Sequence, residues 1–121
     1  MNAKKFTGEE GTLISSSKAA TFTKSFREKK EKEHKKPNTY TEAQFFGNSK
    51  LKKLMKKEGC VGLRFYFGAF TATEFEDQLV VVAVDADGKD LTSTRIGLKD
   101  MPLGDDDALV GGPVCPHECN P

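Results

Sequence analysis

Three residues near the C-terminus carry the most conspicuous chemistry in this chain. Cys115, His117 and Cys119 stand at alternate positions in the stretch PVCPHECNP. Thiolate and imidazole are good zinc ligands, and tetrahedral zinc takes four. A short loop rich in Pro could wrap zinc with these three donors, the fourth coming from Cys60, His34, Glu118 or water. The spacing is not one of the paired clips that mark strong zinc signatures. The same residues also read as thiol chemistry, with Cys115 and Cys119 as a reversible disulfide and Cys60 as a distal partner. A tail has no helix N-terminus to depress a thiol pKa, so an oxidoreductase motif is poorly supported. The plainest alternative is a docked or free tail with inert thiols.

Other clusters fare worse against their ordinary readings. Asp85, Asp87 and Asp90 around Gly88 suggest calcium, but an EF-hand loop needs Gly sixth and an acidic residue twelfth. Counted from Asp85, the glycine is fourth and Ile96 is twelfth, so the match fails. Asp and Gly are what a tight hairpin turn requires. The stretches KSFREKKEKEHKK and KLKKLMKK could face phosphates. Three glutamates interrupt the first, and no base-stacking aromatic motif accompanies either. A solvated helix face accounts for them better than nucleic acid. Arg64 and Tyr66 share the less apolar face of a strand, where they could bind an anion or form a wet edge. No Ser/His/Asp constellation and no Gly-rich phosphate loop is present, which makes an enzyme the weaker class.

The elements that must position these residues follow from periodicity. Ala19, Phe22 and Phe26 make a narrow helical stripe within a helix expected from Ser17 to His34, its first half docked and its second half solvated. Pro37 ends it. A short strand or turn is expected at Gln44–Phe46. A second helix carries Leu51, Leu54 and Met55 on one side, with Gly59 at its end. CVGLRFYFG then alternates, Val61, Leu63, Phe65 and Phe67 toward a core and Arg64 and Tyr66 away from it. LVVVAVD is apolar on both faces and reads as a central strand. DADGKD turns the chain into a third strand.

The expected architecture is α+β: two helices packed on one face of a small, mainly antiparallel sheet of about three to four strands. Residues 1–121 form a single domain, with 102–121 as an irregular C-terminal tail. LVVVAV needs cover on its second face, from the N-terminal segment, the tail or a second copy of the chain. The last possibility makes a dimer, or another protein partner, the expected association.

Charge is divided along the chain. Residues 1–69 carry 16 Lys and Arg against 7 Asp and Glu; residues 70–121 carry 3 against 11. Opposite halves in one chain are expected to pair with each other, within a molecule or between molecules. No segment has the form of a signal peptide, and the longest apolar run is strand-sized, which argues against a membrane span. Three cysteines make a secreted disulfide framework unlikely to close, so a cytoplasmic chain with reduced thiols is expected.

With FFGNSKLKKLMKKEGCVGLRFYFG, VAVDADGKDLT and the terminal CPHEC in view, the chain resembles a group of small bacterial proteins. They share Phe-Gly, a helix, a Gly-Cys-x-Gly-x-Arg-x-Tyr-x-Gly strand, a Val-Asp-x-x-Gly-x-Asp turn and a Cys-Pro tail ending in a second Cys. The resemblance covers about residues 43–119 and implies no activity. It implies that Cys115 and Cys119 belong to the pattern more firmly than His117, which favours a thiol pair or a docked tail over zinc.

Overall fold

The computed structural model describes residues 5–33, 36, 39–69, 77–92 and 107–115. Two helices and four strands follow in the order α1 (Ser16–Lys32), β1 (Ala43–Gln44), α2 (Asn48–Met55), β2 (Cys60–Ala69), β3 (Asp77–Asp85) and β4 (Val114–Cys115). The class is α+β, as the periodicity indicated. The strands form two antiparallel pairs, β2 with β3 and β1 with β4.

The core is built on β3, because its sequence has apolar residues on both faces. Val81, Val82 and Ala83 are fully buried and Val84 nearly so. On one face Leu63 stands opposite Ala83, Phe65 opposite Val81 and Phe67 opposite Leu79; on the other, Arg64 stands opposite Val82 and Tyr66 opposite Val80. Leu54 of α2 packs on Val81 and Ala83, flanked by Leu51, Phe46, Leu91 and Leu109. Burying one such side chain contributes about 1.5–3 kcal/mol. The edge of β3 away from β2 is also occupied. Leu109 exchanges both backbone hydrogen bonds with Val81, at 3.0 and 2.9 Å, and the Leu91 N–H donates to the Ala83 carbonyl at 2.8 Å. β3 is therefore central, and Gly88 at φ +85° closes the turn that returns the chain beside it.

The two charge halves meet inside the molecule. Lys57, just beyond α2, contacts Asp107 at 3.1 Å and the Leu91 carbonyl at 3.3 Å. Arg64 contacts Asp90 at 2.7 Å.

Burial departs from expectation at two places. The β2 face expected in the core is only partly buried, and only at its start: Leu63 packs against the core cluster that includes Leu54 of α2, while Phe65 is 50% and Phe67 93% exposed. The reason is length. Eight helical residues span about 12 Å and ten strand residues about 33 Å, so α2 cannot cover β2 to its end. Helix α1 has a sound start, with the Ser15 hydroxyl accepting from the Lys18 N–H, yet none of its residues is buried. Phe26 meets Tyr40 edge-on at 6.2 Å between ring centroids, and Phe22 remains largely exposed. Three apolar residues make too narrow a stripe to hold a helix against a sheet.

Candidate functional site

Arg64 and Tyr66 lie two apart on β2, so both side chains project over the same face of the sheet. The hairpin turn brings Asp90 back beside Val84, on the far side of β3. The three side chains then meet across β3. Arg64 Nη1 donates to Asp90 Oδ1 at 2.7 Å and to the Gly88 carbonyl at 3.2 Å, and the Tyr66 hydroxyl donates to Asp90 Oδ2 at 2.6 Å. Phe6 lies over the Arg64 guanidinium, 5.5 Å from its carbon to the ring centroid, and its N–H donates to the Ala86 carbonyl at 3.1 Å. A Cβ on Gly88 would lie in ordinary contact with that ring, 3.4 Å from its nearest atom. The second face of β3 is thus covered from within the chain, by a polar lid and an N-terminal arm.

This geometry sets the electrostatics of the cluster. The Asp90 hydrogen bond, assisted by burial, pushes the Tyr66 phenol above its ordinary value. Burial works against the Arg64 charge, but Tyr66 and Asp90 outweigh it and the guanidinium titrates above its usual range. An anion approaching Arg64 meets a guanidinium already engaged by a carboxylate of the same chain. Arg64 and Tyr66 therefore act chemically as fasteners of the β2–β3 hairpin.

The C-terminal segment is also placed by hydrogen bonds. β4 pairs with β1, the Glu42 N–H donating to the Cys115 carbonyl at 2.7 Å and the Phe45 N–H to the Pro113 carbonyl at 2.8 Å. Gln44 ties β1 to two other segments at once. Its Nε2 donates to the Gly112 carbonyl at 2.8 Å and to Gln78 at 3.3 Å, and its Oε1 accepts from the Leu79 N–H at 2.7 Å. A Cβ on Gly112 would fall on the Phe45 carbonyl oxygen, so the approach requires glycine.

Cys115 is disulfide-bonded and Cys60 is a free cysteine, its thiol 3.3 Å from the Gly62 carbonyl. The disulfide at Cys115 corrects the expectation of reduced thiols. An odd count guarantees that a cysteine is left over, not that none is paired. While Cys115 is oxidised it has no thiolate to offer zinc. His117 and Cys119, like His34, lie outside the described residues. Among the described residues no group of three or more His, Cys, Asp or Glu is placed to hold a metal ion.

A third feature had no single motif to announce it. Phe22, Phe26 and Tyr40 face Phe67 and Leu79 across a cavity of about 580 Å³, with Arg27, Lys30, Glu42 and Asp77 at its polar margin. Among the described residues no helix is long and apolar enough to cross a membrane. No protein-family model matches this chain, and neither a curated protein nor a solved structure matches it.

Proposed function

We propose that this protein is a small, non-enzymatic α+β module that acts by protein–protein association, foremost with a second copy of itself. The observation that carries the reading is the exposure of aromatic residues where a lone domain would bury them. Phe67 is 93%, Phe22 65% and Phe65 50% exposed, around and beside the 580 Å³ cavity. Contiguous exposed aromatic surface with a polar margin marks an interaction site. The association is tested by size-exclusion chromatography with light scattering at about 50 μM, where a specific dimer forms. A mass near twice 13.3 kDa is expected, and a clean 13.3 kDa species would overturn the reading.

The disulfide at Cys115 supports a second reading, a thiol or disulfide function of the C-terminal tail. Thiol titration of the unfolded chain separates the cases. One reactive thiol before reduction and three after support the disulfide; three reactive thiols at the outset, with zinc found by elemental analysis, would favour a zinc tail instead. The same titration on protein from reducing cytosol bears on location. A cytoplasmic protein keeps its thiols reduced, whereas a persistent disulfide belongs to an oxidising compartment.

A further inference from the structure

We propose that the outer edge of β2 pairs antiparallel with the same edge of a second copy, with Phe65 on the two-fold axis. The proposal deepens the self-association reading and rests on it. Its starting point is which backbone groups are already used. The N–H and C=O of Val81 bond to Leu109, and the C=O of Ala83 bonds to Leu91, so these residues turn their backbone away from β2. Backbone direction alternates along an antiparallel strand. Val80, Val82 and Val84 therefore face β2, where Tyr66, Arg64 and Gly62 answer them. Leu63, Phe65 and Phe67 must then point their N–H and C=O groups outward, and among the described residues nothing accepts or donates to them.

Such an edge is ordinarily guarded by Pro, by charge, by a bulge or by being short. β2 has ten residues and no Pro, Lys, Asp or Glu. Its bulge lies at the extreme start, between Cys60 and Gly62. Its one charge, Arg64, is held over the sheet by Asp90. The N-terminal arm reaches this edge only at its start, where a Cβ on Gly8 would fall 3.2 Å from the Val61 carbonyl oxygen; from Leu63 to Phe67 the edge has none of the usual guards.

The sequence of the edge identifies the occupant. Val61-Gly-Leu-Arg-Phe-Tyr-Phe-Gly-Ala69 is a palindrome in residue type about Phe65. With the axis there, Leu63 faces Phe67 of the second copy, Arg64 faces Tyr66 and Gly62 faces Gly68. Apolar residues meet apolar ones and no like charges oppose each other. An axis at Arg64 would set guanidinium against guanidinium. An axis at Tyr66 would leave Gly62 without a partner in β2 and fewer backbone bonds. The exposed rings of Phe65 and Phe67 gain cross-strand apolar neighbours, and the two hairpins join as one four-stranded sheet.

The test is cysteine cross-linking in a Cys60→Ser parent under mild oxidant, read on non-reducing gels. A hydrogen-bonded antiparallel pair has Cα atoms about 5.5 Å apart, within disulfide reach. Phe65→Cys is expected to give a covalent dimer well above the parent. Phe67→Cys is expected to stay at the parent level, because its counterpart lies about 13 Å along the strand. Cross-linking of mixed Phe65→Cys and Phe67→Cys chains, without self-linking of Phe65→Cys, would move the axis to Tyr66 and overturn the proposal. If neither variant links while the parent still runs as a dimer by light scattering, the β2 edge is wrong and self-association stands. If the parent is a monomer, both fall together. Phe67→Lys gives an independent check, since a side chain this exposed can change without disturbing the core. It should weaken the dimer by roughly tenfold or more with an unchanged circular dichroism spectrum; unchanged affinity would count against the edge.

Discussion

Replacing Asp90 with Ala tests whether a carboxylate seals the second face of β3. Asp90 accepts from Arg64 at 2.7 Å and from Tyr66 at 2.6 Å. Its side chain is 10% exposed and that of Arg64 32%. Hydrogen bonds to a charged group contribute about 1.5–3 kcal/mol each, and orphaning one member of a buried ion pair costs about 3–5 kcal/mol. Arg64 is partly solvated and keeps its bond to the Gly88 carbonyl, which discounts the larger figure. The expected loss is about 2–3 kcal/mol, a substantial share of the 5–15 kcal/mol, roughly, that holds a domain of this kind together. Urea unfolding followed by far-ultraviolet circular dichroism suits a chain without Trp and should show a lower midpoint with an unchanged slope. Protein concentration must be held fixed, because dimer formation would add to the apparent stability. A double-mutant cycle with Tyr66→Phe should return a coupling of about 1 kcal/mol or more. A loss below about 0.5 kcal/mol would refute the reasoning, since that is what a solvated surface pair contributes.

The same cluster predicts an alkaline sensitivity. Tyr66 titrates above its ordinary 10.0 in the folded protein, so its contribution is present below that pH and is lost as pH rises through the folded-state value. Stability measured from about pH 8 to about pH 11 should fall more steeply for the wild type than for Tyr66→Phe; parallel curves would remove Tyr66 from the account. Gly112→Ala places a Cβ on the Phe45 carbonyl and should cost about 1–3 kcal/mol as β4 is pushed from β1, read as a lower Tm and faster proteolysis of the tail. An unaltered Tm would mean the β1–β4 pairing contributes nothing. Thr41 Oγ1 is buried without a hydrogen-bond partner among the described residues. Thr41→Val keeps the shape and should leave stability equal or higher by up to about 1 kcal/mol, and a clear loss in urea midpoint would reveal a partner for the hydroxyl.

The positions of α1, α2, β2, β3 and the turn after β3 were legible in the sequence because each is set by local pattern. The 3.6-residue stripe, the two-residue alternation of CVGLRFYFG and the DADG turn each needed only neighbouring residues to be read. The two-faced strand LVVVAV even announced that something must cover it. What covers it was not legible. Arg64 and Tyr66 could be singled out, but their partner Asp90 lies 24 residues from Tyr66, and only the hairpin return brings it across. Gln44 carried no signal at all, since a lone Gln in a connector gains its role only where three chain segments meet. The state of Cys115 could not be inferred from a count of three.

By itself the sequence determined α1, α2, β2, β3 and the turn after β3, and that β3 would be central, because propensity and periodicity act over a few residues; β4 lies in the tail expected to be irregular, and only its pairing with β1 makes it a strand. The tertiary structure alone decided which apolar positions are buried. Leu63 and Phe67 belong to one alternating face of β2, yet one is packed under α2 and the other lies in solvent. Burial depends on what stands opposite a residue, and an eight-residue helix ends before a ten-residue strand does.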